Sequence, residues 1–128
     1  MPTHRGSCHC GAIRFEVEGE ISGLEACNCS ICRRTGFVHW YVEPQRFHLL
    51  SPDAELATYR FGTRTSRNHF CRVCGIAPFR RPRSDPDKLA VNARCLDDVD
   101  LAAFEVTEFD GRDWEASYRA TRGGKREA

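Results

Sequence analysis

Seven of the eight cysteines crowd into three short segments: Cys8-His9-Cys10-Gly11, Cys27-Asn28-Cys29-Ser30-Ile31-Cys32 and Cys71-Arg72-Val73-Cys74-Gly75. Their spacings are CxC, CxCxxC and CxxC. Thiolates one or two residues apart in a tight turn converge on one point, and that suits a metal ion. A disulfide needs Cα atoms roughly 4.4–6.8 Å apart with a particular torsion, which near neighbours seldom supply. The chain must therefore fold so that distant segments meet around metal. Seven is an odd count for sites built on fours. Four plus three leaves one metal with an open coordination position.

A chain of 128 residues suits a single domain with a real core. We expect that domain over residues 1–118, and a charged, frayed tail over 119–128. No apolar stretch follows Met1-Pro2-Thr3-His4-Arg5, so no signal peptide is expected. The apolar runs are too short to cross a bilayer. The expected compartment is the reducing cytoplasm, where cysteines stay as thiols or bind metal. A secreted disulfide framework is the competing reading of an even cysteine count.

Net charge is +1, which makes no global case for nucleic acid. The charge is unevenly spread, however. Seven arginines and no acid lie between Arg60 and Ser84, whereas eight acids and one base lie between Asp97 and Glu115. The two stretches either face each other or are solvated, or the arginines form an anion-attracting mouth around the third cysteine segment.

The hydrophobic pattern is mostly β. Ile13, Phe15 and Val17 alternate with charged residues, as on a half-buried strand. Further strands are expected over Leu24–Cys29, Val38–Val42, Phe47–Leu50, Leu56–Phe61, Ser66–Cys71, Ala77–Arg80, Lys88–Leu96 and Val106–Phe109. Ser30–Arg34 reads as a short helical turn closing at Gly36, and Asp97-Asp98 as the cap of a turn running to Phe104. Pro82–Pro86 reads as a loop, and Asp110-Gly111 as a turn. Many short strands with turn signals point to an antiparallel sandwich or open barrel.

Segments one and three both end in Cys-Gly. In a metal knuckle the residue after the second cysteine often needs φ > 0, which Gly11 and Gly75 adopt at no steric cost. Two knuckles make a closed four-thiolate structural zinc site, so Cys8, Cys10, Cys71 and Cys74 are assigned to it. That leaves Cys27, Cys29 and Cys32. Three protein ligands plus an exchangeable fourth is the catalytic arrangement for zinc, and an all-thiolate set favours zinc or iron. A fourth protein ligand would close the site, with Cys95 the obvious candidate and His9, His39 and His69 the others. Cys95, on the expected strand face of Leu89, Val91 and Ala93, also reads as a small buried hydrophobe. The three histidines read as structural.

The order CxCG, CxCSxCRRxxG, FCxxCG and Val91-Asn92-Ala93-Arg94-Cys95-Leu96-Asp97 resembles the glutathione-dependent formaldehyde-activating family, whose domain centromere protein V also carries. The resemblance spans nearly the whole chain. It implies a zinc-bearing fold of antiparallel sheets called the β-tent. It also implies the same division of cysteines, with a structural zinc on segments one and three and a catalytic one on segment two. The implied chemistry is condensation of formaldehyde with glutathione to S-hydroxymethylglutathione, the making and breaking of a carbon–sulfur bond. Two zinc ions, glutathione as co-substrate and a small aldehyde follow as expected cofactors and partners.

Arg33 and Arg34 follow Cys32 directly. They either form a solvated turn or offset the negative thiolate site and meet the carboxylates of glutathione, since guanidinium pairs bidentately with carboxylate. The competing functional reading is a non-catalytic zinc scaffold that carries glutathione or binds a protein.

Overall fold

The computed structural model describes residues 2–61, 66–83, 85, 87–97 and 99–120. Strands β1 (Thr3–Ser7), β2 (Arg14–Glu18), β3 (Leu24–Cys27), β4 (Val38–Val42), β5 (Phe47–Leu49), β6 (Leu56–Tyr59), β7 (Arg67–Cys71), β8 (Phe79–Arg81), β9 (Leu89–Asn92) and β10 (Val106–Phe109) dominate it. Two short helices join them, α1 (Ser30–Thr35) and α2 (Trp114–Tyr118). The fold is mainly β, as expected.

The strands form a three-stranded sheet, β1-β2-β5, and a seven-stranded sheet, β10-β3-β4-β9-β8-β7-β6. All neighbours pair antiparallel except β10 and β3, which run parallel. A chain of rings joins the sheets: Phe15 stacks on Phe47 at 5.3 Å, and Phe47 meets Phe79 at 4.6 Å. Val17, Leu24, Trp40, Val42, Leu89 and Val91 complete that core. Removing such apolar surface from water is the main favourable term in folding.

Three expectations need correction. The strand expected over Lys88–Leu96 stops at Asn92, and Ala93–Cys95 form a 3₁₀ turn. Asn92 causes the break: its Oδ1 accepts from Arg94 N at 3.1 Å and Val38 N at 3.3 Å, while its Nδ2 donates to Ala77 O at 3.0 Å. A side chain that satisfies the next turn's amide competes with the ladder. Cys95 therefore leaves the strand, yet it still packs against the core that holds Leu89 and Val91. The strand expected over Leu24–Cys29 ends at Cys27, because Cys29 caps α1: its Sγ accepts from Cys32 N. The turn leading to Phe104 is capped by Asp100 rather than Asp97-Asp98, with Asp100 Oδ1 accepting from Ala102 N at 3.0 Å.

Strand β1 and helix α2 have little apolar periodicity, so the pattern did not reveal them. Gly62, Arg64, Ser84, Pro86, Asp98 and the tail residues 121–128 lie outside the described residues. No helix among the described residues is long and apolar enough to cross a membrane.

Candidate metal centres

The first centre joins two turns. Cys8 and Cys10 lie between β1 and β2; Cys71 ends β7, and Cys74 follows in the turn to β8. Their four sulfur atoms lie within 4.8 Å of one another. Cys10 Sγ is 3.7 Å from Cys8 Sγ and 3.6 Å from Cys71 Sγ. A tetrahedral ion with metal–sulfur bonds of about 2.3 Å sets its ligands about 3.8 Å apart, so the spacing fits zinc. Backbone N–H groups aim at the sulfurs: Ile13 N reaches Cys8 at 3.3 Å, and Val73 N and Cys74 N reach Cys71 at 3.3 and 3.4 Å. Gly11 and Gly75 take φ of 84° and 82°, as the knuckle reading required. Burial pushes the Cys74 thiol up, yet N–H groups of Ile76 and Cys10 and the neighbouring thiols outweigh it and bring it down to about 6. The donors thus favour thiolate over thiol at Cys74.

The second centre is built from one strand end and one helix start. Cys27 closes β3, Cys29 caps α1, and Cys32 lies buried one turn on. Their sulfurs also lie within 4.8 Å of one another. Cys29 N points to Cys27 Sγ at 3.5 Å and Cys32 N to Cys29 Sγ at 3.4 Å. Hydrogen bonds from Cys27 and Cys32 pull the Cys29 thiol down to about 2; the same sharing pushes Cys32 up. Cys27 is also raised, chiefly by Cys29. This sharing favours the thiolate at Cys29 and the thiol at Cys27 and Cys32. Gly111 lies directly over it: a Cβ there would collide with Cys27 Sγ and stand 2.7 Å from Cys29 Cβ. Sulfur donors, converging N–H groups and this close cover fit a thiolate-loving ion such as zinc.

Among the described residues no further His, Cys, Asp or Glu joins the three sulfurs. Cys95, the leading candidate for a fourth ligand, is not among them and packs instead against the main hydrophobic core. It shares a cleft with Cys8 and His9, and its thiol is pushed up to about 12, first by burial and then by Cys8 and Cys74. His69 Nδ1 pairs with Thr58 Oγ1 at 2.9 Å. His39 comes nearest, with Nε2 3.8 Å from Cys32 Sγ.

His39, which sequence reading left as structural, lies beside the cluster. It is buried, and its Nδ1 lies 3.2 Å from the Glu25 carbonyl. A carbonyl only accepts, so Nδ1 carries the proton and Nε2 is the acceptor. That acceptor receives Arg80 Nη1 at 2.9 Å. Arg80 Nη1 also lies 3.6 Å from Cys32 Sγ, while its Nε donates to Asn68 Oδ1 at 2.8 Å. Two anchors, Asn68 and His39, thus aim one guanidinium at the cluster. Only the β3–β4 register, Glu25 opposite His39, carries a trace of this in the chain.

Two spaces flank the cluster. A cleft of about 530 Å³ at Cys29 is lined by Arg33, Arg80, Arg83, Arg112 and Trp114, with no acid among its lining residues. Arg83 stacks 3.7 Å above the Trp114 ring and donates from Nη2 to Glu115 Oε1 at 2.6 Å. A smaller space of about 240 Å³ opens at Cys32. Arg80 and Arg83 of the arginine-rich stretch thus gather at the second cysteine segment, and the Arg83–Glu115 pair brings that stretch against the acidic one, as the competing reading expected. The pair Arg33-Arg34 is divided: Arg33 lines this cleft, whereas Arg34 Nη1 turns back to Ser30 O at 2.8 Å and lines the cleft near Cys8.

Residues 3–111 match the family described as glutathione-dependent formaldehyde-activating enzyme. The chain belongs to that family. It is 34% identical over 86 residues to a Halomonas elongata protein whose name assigns it, provisionally, to the same enzymes. That match covers 56% of this chain and 52% of the relative, so the chain spans about half the length of the curated relative it matches. A crystal structure of a Rhodobacter sphaeroides protein superposes with a TM-score of 0.75 at 36% identity, covering 81% of this chain and 98% of that one. The family match ends at Gly111, so Arg112 and Trp114, which help wall the cationic cleft, lie beyond it.

Proposed function

We propose that this chain is a zinc-dependent carbon–sulfur lyase that joins glutathione to formaldehyde as S-hydroxymethylglutathione, and releases it in reverse. One observation carries the reading: three free thiols converge with no fourth protein ligand among the described residues, at the edge of a cleft lined by arginines. Cys27, Cys29 and Cys32 hold the catalytic zinc; Cys8, Cys10, Cys71 and Cys74 hold the structural one. A zinc ion on three thiolates supplies an exchangeable position that favours the thiolate form of a bound thiol or polarises a carbonyl oxygen.

The chain's own residues do the rest. Three thiolates on a divalent ion leave one net negative charge, and Arg80 offsets it from 3.6 Å. The neutral His39 fixes that guanidinium in place. Arg33 and Arg112 line the cleft and pair with the carboxylates of glutathione, which guanidinium groups recognise bidentately. In the reaction a carbon–sulfur bond forms, the carbonyl π bond breaks, and the thiol proton ends on the new hydroxyl. No electrons are exchanged with a cofactor. The reading sets the protein in the cytoplasm, where glutathione and these cysteines stay reduced.

Exchange spectroscopy with isotope-labelled formaldehyde and glutathione tests this. The zinc-loaded protein should accelerate exchange between free and adduct carbon. Cys29→Ser should abolish the acceleration while the β fold persists. Equal exchange with and without protein would contradict the proposal.

A further inference from the structure

The space at Cys32 is too large and too apolar for the aldehyde of the reading above. Formaldehyde is one carbon and one oxygen, little bigger than a water molecule, whose share of the liquid is about 30 Å³. The space measures about 240 Å³. Its walls come from Ile31 and Thr35 on α1, from Phe37, from Tyr59 and Phe70 across the β6–β7 pair, and from Ala77.

Several polar groups at its edge are already engaged. Asn68 Oδ1 accepts from Arg80 Nε, and its Nδ2 donates to Tyr59 O at 3.0 Å. Thr35 Oγ1 donates back to Ile31 O at 3.1 Å. His69 turns its Nδ1 to Thr58. What remains facing inward is mainly hydrocarbon and aromatic surface. A pocket of this kind binds through apolar area removed from water, with few polar groups to orient the ligand.

Position says what part of a ligand would sit there. Cys32 and Arg80 line this space, and Arg80 also lines the cationic cleft on the Cys29 side. The cluster thus stands between a cationic side and an apolar side. A molecule joined through sulfur at the cluster would have its carboxylates on one side and its other substituent on the other.

We propose that the Cys32 pocket holds the apolar substituent of a larger aldehyde, a short alkyl chain or a phenyl ring, carried on the sulfur of the glutathione adduct. This rests on the thiol reading above and deepens it: the adduct formed is a 1-hydroxyalkyl thioether, and formaldehyde leaves the pocket unfilled. The chemistry stays balanced in the same way, with the thiol proton passing to the new hydroxyl.

Stable S-conjugates test the pocket without turnover. Binding of S-methylglutathione and S-hexylglutathione to the zinc-loaded protein is measured by calorimetry. The hexyl conjugate should bind at least tenfold more tightly. Ala77→Trp should fill the pocket and remove that preference while S-methylglutathione binds within about twofold of wild type. Trp is a large change, so Ala77→Leu is the second variant and should reduce the preference partway. Equal affinity for the two conjugates, a hexyl preference that survives in both variants, or no binding of either conjugate would overturn the assignment. Glutathione–formaldehyde exchange in the same preparation separates the two claims. Exchange without a hexyl preference sinks the pocket alone. A hexyl preference without exchange of any aldehyde sinks the lyase reading and leaves the apolar pocket standing.

Discussion

Cys29 carries three tasks at once. It caps α1, accepts hydrogen bonds from its cysteine neighbours, and edges the cationic cleft. With its pKa near 2 and those of Cys27 and Cys32 raised, the metal-free cluster holds one thiolate and two thiols at neutral pH. Metal needs all three as thiolates. Zinc uptake at this centre should therefore release two protons, and apparent affinity should rise about a hundredfold per pH unit near neutrality. Calorimetry of protein whose first centre is already loaded with zinc, in buffers of different ionisation enthalpy, or competition binding across pH, would measure it. Release of three protons, or of none, would show that the thiol sharing is wrong. Gly111 makes a second residue-scale prediction. Its replacement by Ala drives a methyl group into Cys27 and Cys29, an overpacking of about 1–3 kcal/mol. Metal analysis should find the second centre depleted and the first one full.

At the scale of elements, what the chain reveals is what short-range rules control. The cysteine knuckles were legible because spacing and the following glycine decide them locally. Helix α1 was legible because a capping residue and Gly36 bound six residues between them. The end of β9 was not, since it depends on Asn92 meeting Val38 and Ala77 across the sheet. Nor was Arg80, one of seven arginines in its stretch, whose aim is set by Asn68 on β7 and His39 on β4. The two knuckles tie β1–β2 to β7–β8, so the first centre should be a fold requirement. Structural zinc supplies about 10–16 kcal/mol in zinc-finger peptides. Cys71→Ser should therefore lose cooperative thermal unfolding near neutral pH. A folded variant with a full metal complement would show the four-cysteine pairing to be mistaken.

Across the whole molecule the two centres differ in how they are tied in. The first is closed by four cysteines from turns 61 residues apart and backs onto the buried Ile13. The second sits between two open spaces and hangs from β3 and α1 alone. Net charge near zero gave no sign of the second arrangement, because the arginines gather only when β8, α1 and the segment after β10 meet. A closed four-thiolate centre offers a chelator no vacant position, whereas a three-thiolate centre does. The most direct test of this division is a chelator titration of the zinc-loaded protein, with released zinc and far-ultraviolet circular dichroism read together. One equivalent should leave early with the β signal unchanged, and glutathione should delay that step by occupying the same position. The second equivalent should leave only as the β signal collapses. Both ions leaving at one chelator concentration, or the fold collapsing with the first, would contradict the account.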